Sequence, residues 1–318
     1  MEPKVRSQEK SPRLVFFGTP AFVVPVLEKL VTSGYKLCAI VTAPDKPVGR
    51  KQLITPSPVK QWGKTHGIRV FHPEKLDDVF SAQLQSLKPD AGIISAYGKI
   101  IPKGTLGVFS KGVLNLHPSL LPRWRGPSPV QTAIAAGDKE TGVTLMLTDE
   151  EMDHGSILAH KSITLEGTET GGSLTEELFK MGADLLITLL SDFLAGNISP
   201  QSQDHSHATY TKLLTRDRGH IDWSRDAESI AVMVRAYDPW PGTFTEVEGL
   251  GRLKIFPLVI ADTSMGPPGQ FFEKDGKLAV YCGKGALLLE HVQLGGGRPI
   301  SGKDFLRGHP KIIGKNVL

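Results

Sequence analysis

Apolar residues at 14–17 form a short run that ends in Gly18-Thr19-Pro20, and an amphipathic stretch from Ala21 to Val31 follows. The pattern predicts a strand, a tight turn and a helix, with Thr19 as the cap and Pro20 at the first helical position. Further strand-like runs cover 37–41, 91–95 and 113–117, with helix-like segments near 59–65 and 79–87 between them. Strands that alternate with helices predict a parallel sheet covered by helices on both faces. A helix is expected to open at Gly126-Pro127 and run to about Ala136, before strands at 144–147 and 157–163. Leu178, Met181, Leu185, Leu189 and Phe193 recur at helical spacing and predict a long helix over 174–194 with one buried face.

The character then changes. Residues 196–207 are rich in Gly, Asn, Ser, Gln and Asp, which reads as a linker. Beyond it the pattern predicts a short helix over 227–235 and five short strands at 243–247, 253–259, 270–272, 278–281 and 286–292. Short strands set off by Gly and Pro turns suggest a small β-barrel of OB type. The expected division is a lead-in over 1–12, an α/β domain over 13–195, a linker over 196–209 and a barrel domain over 210–318.

Composition excludes several classes. At 318 residues the chain is long enough for two domains. No apolar run approaches the ~20 residues needed to span a bilayer. Residues 1–12 are polar, carry Glu2 and Glu9, lack the apolar core of a signal peptide, and read as disordered. Two cysteines, Cys38 and Cys282, suggest neither a disulfide framework nor a zinc site, and a reducing cytoplasm is the natural compartment. The net charge of +4 does not by itself imply nucleic acid. Its distribution says more: Lys284, Arg298, Lys303, Arg307, Lys311 and Lys315 face only Glu290 and Asp304, so the end of the chain is basic.

Candidate chemistry lies in Asn115-Leu116-His117-Pro118-Ser119-Leu120-Leu121-Pro122 and in Met152-Asp153-His154-Gly155. On a strand ending at His117, Asn115 and His117 point to one face, at the carboxyl end where parallel sheets bind ligands. A carboxylate such as Asp153 would orient the imidazole and favour its charged form. Met152 would anchor that loop, and Gly155 would permit close backbone approach. These are parts for acyl or formyl transfer. A metal site of His117, Asp153 and His154 is disfavoured because no His pair at helical spacing supports it. Gly18-Thr19-Pro20 is not the dinucleotide fingerprint, so a nicotinamide enzyme is disfavoured as well. Residues 44–51, Pro44 to Lys51, form a basic loop bounded by prolines and suited to phosphate. Arg123 or Arg125 beside Trp124 would hold an anionic or flat conjugated ligand.

These segments, with Phe17-Gly18-Thr19-Pro20, Pro56-Ser57-Pro58-Val59-Lys60, Ala96-Tyr97-Gly98-Lys99, Ile221-Asp222-Trp223 and Asp238-Pro239-Trp240-Pro241-Gly242, resemble the methionyl-tRNA formyltransferase family. The resemblance runs from about Arg13 to Arg307. Its Asn-x-His-Pro-Ser-Leu-Leu-Pro signature is shared by enzymes that use 10-formyltetrahydrofolate; the basic loop and the Pro-Trp-Pro-Gly domain specify the acceptor. The resemblance implies a Rossmann-like formyl-folate domain, an OB-like barrel that holds initiator tRNA, no metal, no membrane, and a monomer. It assigns catalysis to Asn115, His117 and Asp153. Folate contact falls on Ser119, Leu120, Leu121, Pro122, Tyr97 and Gly98, and tRNA contact on Arg50, Lys51, Lys212 and Arg307. Two departures stand out. His154 replaces a residue that is usually small or polar, and Leu213 replaces the usual lysine, with Lys212 one place earlier. The rival readings are another formyl-folate transferase or hydrolase, and a non-catalytic RNA-binding module.

Overall fold

The computed structural model describes residues 11–49, 52–257, 259–262 and 264–317. The expected lead-in lies almost wholly outside the described residues, as do Arg50 and Lys51. The chain divides into two compact units. One holds the residues up to Gly126, Gly142–Ile163 and Glu176–Tyr210; the other holds Pro127–Thr141, Thr164–Thr175 and the residues from Thr211 on.

The first unit is built on strands β1 (Arg13–Gly18), β2 (Lys36–Val41), β3 (Lys46–Val48), β4 (Leu53–Thr55), β5 (Val70–Phe71), β6 (Ala91–Ser95), β7 (Val113–His117), β8 (Glu140–Leu147) and β9 (Ile157–Thr164). Seven of them form one sheet in the order β5-β2-β1-β6-β7-β8-β9. The pairs from β5 to β7 are parallel and β7–β8 is antiparallel. Alternation along β1 explains the layering. Leu14 and Phe16 enter a core with α1 (Val24–Thr32), α2 (Pro58–Thr65) and the later part of α6. Val15 and Phe17 enter the opposite core, with α3 (Asp78–Ser86). The short helix α4 (Lys103–Leu106) follows β6, α5 (Pro129–Ala135) follows β7, and α6 spans Gly171–Ala195.

Several local expectations change. Pro20 precedes a 3-10 turn, Ala21–Val23, without a side-chain cap. The Thr19 hydroxyl instead donates to the Tyr97 carbonyl (3.3 Å) and accepts from the Ala43 amide (3.3 Å), so it ties three strand ends together. The basic loop is partly regular: β3 and β4 pair antiparallel as a hairpin. At its base the Lys60 ammonium, largely buried, donates to Asp45 at 2.7 Å. The helix expected at Gly126 begins three residues later, at Pro129.

Among its described residues the second unit contains α7 (Ala227–Ala236), α8 (Gly302–Gly308) and eight short strands rather than five: β10 (Thr243–Val247), β11 (Gly251–Ile255), β12 (Val259–Asp262), β13 (Phe271–Lys274), β14 (Lys277–Tyr281), β15 (Ala286–Leu288), β16 (His291–Leu294) and β17 (Ile300–Ser301). They form two four-stranded sheets, β10-β11-β16-β17 and β12-β15-β14-β13, in the manner of a small barrel. The run expected as one strand over 253–259 is divided at Phe256-Pro257, where proline has no N–H for the ladder. The run over 286–292 divides at Leu289-Glu290, so its halves serve different sheets. The core gathers Ile221, Trp223, Ile230, Val234, Leu253, Phe271, Leu287 and Phe305. Helix α5 packs on α7 and belongs with this unit.

Candidate active site

Strand β7 presents Asn115 and His117 on the face that also carries Val113, while Leu114 and Leu116 enter the opposite core. The loop after β8 folds back and brings Asp153 to them. Asn115 Nδ2 donates to Asp153 Oδ1 at 3.2 Å, and His117 Nδ1 lies 3.5 Å from the same oxygen. The other carboxylate oxygen, Oδ2, accepts from the Gly126 amide at 2.8 Å. The three expected catalytic side chains are thus one connected cluster. His117 is buried, and the Asp153 side chain is 13% exposed, so the cluster sits at the edge of solvent.

The histidine has a fixed orientation. Its Nε2 lies 3.0 Å from the Trp124 carbonyl, which only accepts, so Nε2 donates. Proton exchange is then left to Nδ1, the nitrogen facing Asp153. Two residues in this arrangement hold left-handed backbone, Trp124 at φ 60° and Asp153 at φ 51°. Such conformations in residues other than glycine are sparsely populated and persist only where the surroundings impose them. Gly155 meets the expectation of close approach: a Cβ there would collide with the Leu147 carbonyl. Met152 does not anchor the loop, since it is 48% exposed. Nearby, His154 Nδ1 donates to Asp149 Oδ2 at 2.7 Å, and its ring stacks on His205 with centroids 4.1 Å apart.

The loop from Pro118 to Pro122 is held from within. The Ser119 hydroxyl donates to the Arg123 carbonyl at 2.6 Å, and Thr144 Oγ1 donates to the Ser119 carbonyl while accepting from the Leu121 amide. Ser119 and Leu121 are buried; Leu120 and Pro122 are half-buried. Tyr97 and Gly98 follow the carboxyl end of β6, next to β7 in the sheet. The Tyr97 hydroxyl is buried with no hydrogen-bond partner among the described residues, and burial pushes its pKa up to about 12. Gly98 has φ 82°, and a Cβ there would meet open space.

Arg125 corrects an expectation. It is fully buried and donates to Gln203, Tyr210 and His205, so it braces the site's walls instead of offering a free guanidinium to a ligand. Arg123 lies over the Trp124 ring at 4.8 Å. Among the described residues no group of three His, Cys, Asp or Glu could hold a metal ion. In the second unit Lys212 is exposed, and Arg307, also exposed, pairs with Asp304 at 2.8 Å. Sequence reasoning missed the Trp124 carbonyl, the Gly126 amide and Gln203. The first two are backbone groups that side-chain identity does not reveal, and Gln203 sits in a polar stretch that reads as a linker.

Comparison with known proteins assigns the chain to a family. The Formyl transferase family model matches residues 12–190, and the Formyl transferase, C-terminal domain model matches residues 213–310. Both domains of a formyl transferase are therefore present, in order. A methionyl-tRNA formyltransferase from Roseiflexus sp. (strain RS-1) is 47% identical over 299 residues, covering 93% of this chain and 92% of the relative. The chain belongs to the methionyl-tRNA formyltransferase family. Among solved structures, HypX from Aquifex aeolicus in complex with tetrahydrofolic acid superposes with a TM-score of 0.69 at 19% identity, over 96% of this chain and 48% of that one. Methionyl-tRNA formyltransferase from Clostridium thermocellum superposes with a TM-score of 0.55 at 18% identity, over 84% of this chain and 96% of that one. At such identities these likenesses concern the fold alone. No helix among the described residues is long and apolar enough to cross a membrane.

Proposed function

We propose that this chain transfers the formyl group of 10-formyltetrahydrofolate to the α-amine of methionyl initiator tRNA, and that Asn115, His117 and Asp153 carry the reaction. The observation that carries the reading is the cluster itself: one carboxylate oxygen faces both the Asn115 amide and His117 Nδ1. The amine attacks the formyl carbon, a C–N bond forms, and the bond from that carbon to N10 breaks. Asn115 has a second N–H, which donates to the oxyanion that develops; one such donor is typically worth about 3 kcal/mol of barrier. The amine loses a proton and N10 gains one. His117 and Asp153 relay it through Nδ1, because Nε2 is committed to the Trp124 carbonyl. The folate is a substrate that brings an activated one-carbon unit, so the reaction needs no metal.

The α/β domain over 13–195 binds the folate, with the 119–122 loop, Tyr97 and Gly98 as its wall. The unpartnered Tyr97 hydroxyl and the open space beside Gly98 fit that role. The barrel over 210–318 holds the tRNA through Lys212 and Arg307, with Arg50 and Lys51 contributing from the first domain and 196–209 as the connection. A monomer suffices because all three reacting groups come from one chain, and the reaction belongs in the cytoplasm with the translation machinery. The test is formyl transfer with methionyl initiator tRNA, methionyl elongator tRNA, a nucleotide-linked amino sugar and water as acceptors. Formylation of the initiator tRNA alone is expected. Turnover with the sugar, or hydrolysis that ignores tRNA, would overturn the acceptor.

A further inference from the structure

The segment from Gln201 to Tyr210 runs as a strap across both loops of the candidate site. At one end Gln201 and Ile157 exchange backbone hydrogen bonds of 2.8 Å each. At the other, the Thr209 carbonyl accepts from the Arg125 amide at 2.9 Å, and Thr209 Oγ1 accepts from the Trp124 amide at 2.9 Å. Between these ends lies Gln203, 6% exposed. Its Nε2 donates to the Asp153 carbonyl at 2.9 Å and to the Gly155 carbonyl at 2.8 Å. Its Oε1 accepts from Arg125 Nε at 3.2 Å and from Arg125 Nη2 at 2.6 Å. Both donors and both acceptor sites of the amide are therefore used; only a carboxamide has that complement, and that of asparagine sits on a stem one methylene shorter.

The placement has a consequence for Asp153. Its left-handed backbone turns the carboxylate toward Asn115 and His117, and such a conformation needs outside support. Gln203 supplies that support by gripping the carbonyls on either side of His154. Arg125, gripped by the same amide, lies between Trp124, whose carbonyl orients His117, and Gly126, whose amide binds Asp153. One side chain thus joins the two loops that aim the carboxylate and the imidazole.

We propose that Gln203 is a positioning residue for the transfer reaction, holding Asp153 in register with His117 through the Asp153 and Gly155 carbonyls and the Arg125 guanidinium. The proposal rests on the reading of Asp153 as a catalytic group. A glutamate in its place would set carboxylate oxygens against two carbonyls, and a methionine would keep the length and remove every hydrogen bond. Misplacement by about 1 Å costs on the order of a hundredfold in rate.

The experiment compares Gln203→Glu and Gln203→Met in the parent and in an Asp153→Asn background. It reads kcat, KM for each substrate and the melting temperature. In folded variants we expect kcat to fall roughly a hundredfold, KM for folate and tRNA to change little, and no further loss in the Asp153→Asn background. Parent-like kcat in a folded Gln203 variant would overturn the proposal, and so would losses that multiply with Asp153→Asn. If both variants failed to fold, Gln203 would serve the fold rather than the site, which also overturns it. Full activity of Asp153→Asn alone would instead defeat the underlying reading of Asp153, so the two failures are distinguishable.

Discussion

Replacing Asp153 by Asn changes one atom and separates charge from shape. Asparagine tolerates left-handed backbone at least as well as aspartate, so the φ of 51° adds no cost. Its single carbonyl oxygen can satisfy the Gly126 amide, now 2.8 Å from Oδ2. Its NH2 then faces the Asn115 amide, now a donor at 3.2 Å, and His117 Nδ1 at 3.5 Å. The variant loses one charge-assisted hydrogen bond and gains a donor–donor conflict. That is a stability cost of about 1–2 kcal/mol. The effect on turnover is larger, because His117 Nε2 is fixed on a carbonyl and only Nδ1 can exchange a proton with a partner. A positioned acid–base pair contributes roughly 100- to 10,000-fold. A loss of about 1,000-fold in kcat is expected, about 4 kcal/mol of barrier. The assay is single-turnover formyl transfer to methionyl-tRNA, with the melting curve recorded on the same preparation. A folded Asp153→Asn protein within tenfold of the parent would refute the relay.

Gly155→Ala places a methyl against the Leu147 carbonyl and should cost about 3 kcal/mol in urea unfolding, with turnover falling as the loop shifts; a loss under about 1 kcal/mol would contradict the close approach. Lys60→Met removes the partner whose hydrogen bond holds the Asp45 carboxyl below its ordinary range. That stabilisation is present above the usual aspartate range and is lost as pH falls through the lowered value, so the gap in melting temperature between parent and variant should close in acid; a gap unchanged down to pH 2 would refute it. For Tyr97, one of five tyrosines, absorbance at 295 nm should show an ionisation that burial has raised to about 12. Between its ordinary value and that one the unfolded chain releases the proton first, so stability falls as pH rises through the window; complete titration of all tyrosines near pH 10 in the folded protein would contradict the burial.

Much of the architecture was legible because two periodicities carry it. The runs at 14–17, 37–41, 91–95 and 113–117 became parallel neighbours, and Asn115 and His117 shared a face because strand side chains alternate. The meeting of Asp153 with that face was legible only through a motif, since a loop's path is not encoded in a period. Arg125 shows the opposite limit. Next to Trp124 it reads as a ligand-binding arginine, yet its partners lie some eighty residues away, in a stretch whose composition suggests a mere connector. The barrel strands were only partly located: Phe256-Pro257 and Leu289-Glu290 divide two apolar runs that look continuous, and β17, two residues long, carries no run that announces it. Thr19 was misread for a similar reason: its hydroxyl serves Tyr97 and Ala43, contacts no local rule predicts.

The proposed transfer depends most directly on where the formyl carbon lies. A crystal structure of the protein with a stable formyl-folate analogue and an aminoacyl acceptor mimic would measure it. The expected result is the formyl oxygen about 3 Å from Asn115 Nδ2, with the acceptor nitrogen roughly 3–3.5 Å from the formyl carbon on the side of His117 and Asp153. A folate seated with its formyl group remote from Asn115 would contradict it.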